Sequence, residues 1–182
     1  MARFPYLNKS DLAPEYQDKM RDINLMKLLF HNPELAISAN NNAMYIRTKS
    51  KIDPRLREMA IIQVGYCARS VYEYSHHVKI GFDYGVSEDD VRAIADDTAG
   101  KPTKLDPLTK AVLKAARELS LDIKLSDETF AVLKQHLDNA RLLDLFLAIC
   151  AYNSTVRMLA ALQIDLEDEY QPYLDKFPLP KD

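Results

Sequence analysis

Glycine is scarce in this sequence, with four in 182 residues. That scarcity disfavours phosphate-cradling loops and tight-hairpin β architecture, both of which use glycine for positive φ. The two cysteines, Cys67 and Cys150, are too few and too far apart for a disulfide framework, and they suit a reducing cytoplasm. Neither sign of charge dominates: 24 Lys and Arg are scattered among 27 Asp and Glu, for a net charge of −3. Nucleic-acid binding needs a concentrated positive face, so no nucleic-acid partner is expected. The longest apolar run, Leu142 to Tyr152, is broken by Asp144 and falls short of the roughly 20 residues that span a bilayer. The opening residues, MARFPYLNKSD, contain no apolar stretch that could form the core of a signal peptide. The expectation is a protein without a membrane partner, located in the cytoplasm.

What is present is helical patterning over a length typical of one domain, with 47% hydrophobic residues to build a core. Ser10 to Phe30 reads as one or two short helices, with Ser10 and Asp11 as caps. Pro33 opens a second helical pattern to Arg47, interrupted by Asn40, Asn41 and Asn42, whose amides are expected at a surface, a subunit contact or a pocket. Asp53-Pro54 is a strong helix start; one helix follows to Arg69 and another from Ser70 to Phe82, closed by Gly85. Ser87 caps a short acidic-fronted helix. The loop Asp97 to Asp106 leads to Pro107, which restarts a helix, and Ser126 and Asp138 cap two more. The last of these, Asn139 to about Leu162, is apolar over most of its circumference and belongs in the core or at a subunit interface. No strand-like alternation is visible, so the fold class is all-α. The chain divides into an N-terminal helical extension (1–32), a motif region (53–94) and a C-terminal tail (166–182) within one domain.

The motif region holds the unusual polar residues. Glu73 and His77 stand four apart and share a helix face; a carboxylate touching an imidazole fixes its tautomer and raises its basicity, as general acid-base chemistry near neutral pH requires. Taken alone, such a pair is more often a solvated ion pair. Tyr72, Tyr74 and Glu58, on otherwise apolar helices, weigh against that bland reading, although an aromatic stripe is more often core than site. Glu73 with His76 also forms Glu-x-x-His, half of a di-iron bundle motif. His31 and His136 do not complete it, which leaves Glu73, His76 and His77 as an alternative mononuclear metal set at a dimer interface.

These residues resemble the carboxymuconolactone decarboxylase and alkylhydroperoxidase D (AhpD) family. Redox-active members carry a Glu on one helix and Cys-x-x-Cys-x-x-x-His on the next. On this chain the Glu falls on Glu58, the two Cys on Ser70 and Glu73, and the His on His77. Tyr72-Glu73-Tyr74-Ser75-His76-His77-Val78 is similar to the Tyr-Glu-Trp-x-x-His-Val of relatives of 4-carboxymuconolactone decarboxylase. The resemblance continues through Gly85-Val86-Ser87-Glu88-Asp89-Asp90 and Ala151-Tyr152-Asn153 to Arg157. It implies an AhpD-like helical bundle that assembles as a homo-oligomer (dimer, trimer or hexamer), with a small molecule as its partner.

The thiol pair that peroxide reduction needs is absent, which disfavours an antioxidant activity. Cys67 remains as a lone thiol near the site or an inert core residue, and Cys150 is expected in the core. The expected activity is a cofactor-independent lyase or isomerase on a small carboxylated substrate. Glu58, Glu73 and His77 are its catalytic candidates, and Ser70, Tyr72, Arg157 and Arg69 its substrate-binding candidates, either Arg being alternatively an interhelical ion pair. A non-catalytic binder of small ligands is the remaining alternative.

Overall fold

The computed structural model describes residues 1–180, so the last two residues of the expected tail lie outside the described residues. Among the described residues there is no strand, and the chain is all-α. In order, the helices are α1 (Pro14–Gln17), α2 (Asn24–Leu29), α3 (Pro33–Thr48), α4 (Pro54–Cys67), α5 (Val71–Asp83), α6 (Glu88–Thr98), α7 (Pro107–Leu121), α8 (Asp127–His136), α9 (Asn139–Leu162) and α10 (Gln171–Lys176).

Helix α4 sits at the centre. Asp53 accepts a hydrogen bond from Leu56 N at 3.0 Å and Pro54 occupies the first turn, satisfying a free donor where the helix begins. All ten residues from Leu56 to Gly65 are buried, so α4 has no solvent face and packs on α5, α7, α9 and α6. On one side Leu56, Ala60 and Val64 join Val112, Ala116, Leu145 and Ile149. On the other, Met59 and Ile62 join Tyr74, Val78, Val91 and Ile94. The two cores share α4, which explains why its polar residues Arg57 and Glu58 are buried with it.

Helices α4 and α5 meet at a tight corner. Arg69, at φ 49°, takes the left-handed conformation that reverses the chain, and Ser70 caps α5 by accepting from Glu73 N. Above the corner Gly65 faces the backbone of Tyr74 so closely that a Cβ would stand 2.9 Å from Tyr74 N.

Several expectations need correction. The asparagine run does not interrupt α3, which passes through it as one helix of 16 residues capped by Asn32. At the N-terminus it is Asn8, not Ser10, that precedes the first turn, with Asp11 accepting from Asn8 N at 2.7 Å. Helix α9, at 24 residues, is by length and composition able to cross a bilayer, contrary to the reading of its run as broken. In this fold Leu142, Leu145 and Ile149 enter the core, and Asp144 accepts from Lys51 N at 2.6 Å and Tyr45 Oη at 3.0 Å. Cys150 is exposed, not core: it is one step of about 100° from fully buried Ile149, and a stretch apolar on most sides gives no signal of which face turns inward.

The N-terminus is tied to the end of α9, and the C-terminal segment folds back over α5. Arg3 N donates to Leu162 O at 2.9 Å and Tyr6 Oη to Asp165 at 3.0 Å, while Phe177 is buried beside Val78 and Val86.

Replacing Gly65 with Ala should destabilise the protein by about 1–3 kcal/mol, because the obstructing atoms belong to backbone and cannot rotate away. Chemical denaturation checks this; an unchanged midpoint would contradict the close approach of α4 and α5.

Candidate active site

The α4–α5 corner sets the register of the two helices so that Glu58 on α4 faces His77 on α5. His77 Nδ1 lies 2.7 Å from Glu58 Oε2, and Nε2 lies 3.0 Å from Glu73 Oε1, one turn away on its own helix. The side chains are 8%, 1% and 4% exposed for His77, Glu58 and Glu73, so the bland reading of a solvated pair does not apply. Glu58 Oε1 accepts from Arg57 Nε at 2.9 Å, and the Arg57 guanidinium lies 4.6 Å over the Tyr84 ring. Tyr152 of α9 presents its ring edge-on to His77 at 4.7 Å.

An imidazole whose two nitrogens both face carboxylate oxygens must carry two protons, unless one carboxylate carries a proton itself. Burial opposes the charged ring, but the Glu58 and Glu73 carboxylates outweigh it and raise His77 to about 9. Burial likewise opposes ionised Glu58, yet His77 and Arg57 together hold its carboxyl below the ordinary value. The site is therefore an imidazolium clamped between two carboxylates, charged at neutral pH and able to release a proton to a neighbour.

All three groups line a cavity of about 500 Å³. Its apolar wall comes from Leu25, Met26 and Leu29 of α2, Ile46 of α3 and Ile80 of α5. Beside it is a second acid–imidazole pair: His76 Nε2 lies 2.7 Å from Glu167 Oε2. The His76 ring is stacked between Tyr72 at 4.1 Å and Tyr170 at 3.5 Å. Glu167 Oε1 also accepts from Tyr72 Oη at 3.0 Å and Asn24 N at 2.6 Å. Burial works against the Glu167 carboxylate, but the His76 ring and the Asn24 N–H lower its pKa.

The sequence candidates separate in this geometry. Glu58, Glu73 and His77 converge. Tyr72 lines the cavity, but its hydroxyl is engaged by Glu167 and Leu25 N, so only its ring is presented. Ser70 is the α5 cap and does not line the cavity. Arg69 is exposed at the corner, also off the cavity. Arg157 is exposed and donates to Asn153 O and Oδ1. It does not line the cavity but borders an adjoining groove with Phe4 and Leu28 that shares Leu29, Leu35 and Met158 with it, because five residues along α9 turn it well away from the face of Tyr152. The alternative metal set does not assemble: His76 points to Glu167 and His77 to Glu58 and Glu73, and among the described residues no group of three His, Cys, Asp or Glu is arranged to hold a metal. Cys67 does not line the cavity; its thiol accepts from Gln63 Nε2 at 3.3 Å, and burial pushes its pKa up.

Sequence reasoning missed Arg21, Arg47, Glu167 and Tyr170, and named Tyr152 only within the family's closing-helix motif without a role at the site. Glu167 and Tyr170 come from the tail, more than 90 positions from their partners, with no motif to mark them. The Arg57–Glu58 pair, adjacent in the chain, was visible but not used.

Residues 33–118 match the model of the carboxymuconolactone decarboxylase family. Over this segment, a little under half of the chain, the sequence is similar to that family. Solved structures of the same fold include an AhpD-core, peroxidase-related protein from Ralstonia eutropha JMP134, 17% identical, with a TM-score of 0.78 over 99% of this chain and 98% of that one. They also include a cysteine-to-alanine variant of the debrominase Bmp8 bound to 2,3,4-tribromopyrrole, 19% identical, TM-score 0.82, over 97% and 100% of the two chains. A peroxidase-related protein from Silicibacter sp. TM1040 is 16% identical, TM-score 0.64, over 80% and 77%. These likenesses show the AhpD-like helical fold. No curated protein matches the chain significantly. The family segment, from the start of α3 into α7, contains Glu58, Glu73 and His77; Arg21, Tyr152, Glu167 and Tyr170 lie outside it.

Because His77 is raised from 6.5 to about 9, its contribution to stability is full below pH 6.5. It declines as pH rises and is gone above about 9, a loss on the order of 3 kcal/mol. Glu58 is lowered, so its contribution is present above the ordinary carboxylate range and is lost at more acid pH. Urea unfolding of the wild type from pH 6 to 10 should show the alkaline decline, and His77→Gln should flatten it. A wild-type stability that is level across this range would contradict the clamped imidazolium.

Proposed function

We propose that this protein is a cofactor-independent acid-base enzyme, a lyase or isomerase, acting on a small carboxylated substrate of lactone or ring type. The observation that carries this reading is the clamp of His77 between Glu58 and Glu73 on the wall of a partly open cavity with a mainly apolar lining. Both Glu58 oxygens are committed, one to Arg57 and one to His77, so Glu58 positions and charges the ring. Glu73 and His77 are left as the pair that exchanges a proton with substrate. In a decarboxylation the C–C bond to the carboxylate breaks, CO2 leaves, and the electron pair stays in a dienolate. The Glu73–His77 pair delivers a proton to carbon and recovers one from water. In an isomerisation the pair removes a proton from one carbon and returns it to another.

The Bmp8 complex supports a ring-sized ligand for this fold. Peroxide reduction, suggested by the name of the R. eutropha protein, lacks support in this chain: Ser70 and Glu73 stand where a thiol pair is needed, and the raised Cys67 thiol is off the cavity. The proposal includes a homo-oligomer. Leu35 and Met44 on α3 and Leu143, Leu147 and Met158 on α9 are exposed apolar side chains, a pattern that suits a second copy.

In D2O, a panel of carboxylated lactones and unsaturated acids should contain a compound that the wild type deuterates at carbon or decarboxylates. His77→Gln and Glu73→Gln should each slow it by about 100-fold or more, and thiol alkylation should leave it intact. A rate untouched by His77→Gln, or one abolished by alkylation, would remove the acid-base reading.

A further inference from the structure

The cavity carries more positive charge than its acid–imidazole clamp accounts for. Its charged lining consists of Arg21, Arg47, Arg57 and Lys79 against Glu58 and Glu73, together with the charged His77. Arg57 is paired with Glu58, Lys79 with Asp83 at 3.1 Å, and His77 with Glu58 and Glu73. Arg21 and Arg47 remain. Among the described residues neither side chain has an ion pair or hydrogen bond, and both line the cavity.

Their placement is unfavourable without a counter-ion. Arg21 is exposed overall, yet its guanidinium reaches far enough in for burial, and then the charge of Arg47, to lower its pKa. Two like charges that face one cavity beside an apolar wall favour an anion placed between them. The planar donor forks of two arginines match an oxyanion. A further acceptor faces the same space: Asn40 Oδ1 is buried without a hydrogen-bond partner and lines the cavity.

We infer that Arg21 and Arg47 form an oxyanion subsite that holds the carboxylate of the substrate, with Asn40 accepting a hydrogen bond from a hydroxyl or amide of the same molecule. The choice of a carboxylate rests on the acid-base reading above; the subsite itself rests on the two unpaired guanidiniums. The ligand is then an organic anion whose charged end lies between Arg21 and Arg47. Its apolar body lies against Leu25, Met26 and Ile46, and its reacting carbon faces Glu73 and His77. Arg21 lies outside the segment matched by the family model, residues 33–118, so the N-terminal extension supplies half of the specificity.

Calorimetric titration with benzoate, benzyl alcohol and phenyl phosphate tests this on the full chain. The wild type should bind benzoate at least about ten-fold more tightly than the neutral alcohol at low ionic strength. The double variant Arg21→Gln/Arg47→Gln should lose that preference, while Arg157→Gln, outside the cavity, should keep it. Equal affinity for benzoate and benzyl alcohol, no detectable benzoate binding, or a preference that survives the double variant would overturn the assignment. Phenyl phosphate binding more tightly than benzoate would likewise overturn the carboxylate. The wild-type comparison needs no variant and is independent of folding defects. Catalysed deuterium exchange without a benzoate preference would sink the subsite alone. A benzoate preference, lost in the double variant, in a protein that exchanges nothing would sink the acid-base reading alone.

Discussion

One imidazole held between two carboxylates, inside the protein and across two helices, is the constraint on which the rest of the structure turns. Removing ions from water costs several kcal/mol each, and a buried ion pair is seldom more stable than a hydrophobic replacement of equal size. The arrangement persists because several features act on it at once. Gly65 lets α4 and α5 approach closely enough for Glu58 to reach His77. Arg57 neutralises Glu58 from the other side and is itself covered by Tyr84. Tyr152 packs perpendicular to the imidazole at 4.7 Å. A charge group so expensive to bury, and open to a cavity, is the observation on which the proposed proton transfer rests.

The termini complete what the helical core begins. Glu167, on the tail, reaches back to His76, Tyr72 and the backbone of Asn24. One carboxylate thus ties the tail, α5 and the N-terminal extension together. Tyr170 stacks on the same imidazole. The consequence is a cavity whose acid–imidazole clamp and Arg47 lie in the family segment while Arg21 and part of the wall come from flanking residues. Proteins sharing the fold at under 20% identity can therefore keep a similar scaffold while differing in what the cavity admits.

Much of this was legible in the sequence for identifiable reasons. Asp53-Pro54, Ser87 and Asp138 are local signals, and each opens a helix where its chemistry places it. The four-residue step from Glu73 to His77 fixes a shared face whatever surrounds it. Glu58 stood out as a charge on an otherwise apolar helix, and the family frame gave it a role beside His77. What could not be read is what depends on packing direction. Cys150 and Arg157 were misplaced because α9 is apolar nearly all round and gives no clue to its inward face. Ser70 aligns with a family cysteine but serves as a cap. Nothing local marks Arg21, in the loop before α2, or Arg47, near the end of α3, as facing one cavity, and the Glu167–His76 contact links segments 91 positions apart.

The most direct measurement of the central claim is nitrogen NMR of His77 in protein labelled at its histidine side chains, followed from neutral to alkaline pH. The account predicts a ring protonated at both Nδ1 and Nε2 at neutral pH, losing a proton only near pH 9. A neutral, single-tautomer imidazole at pH 7 would contradict it.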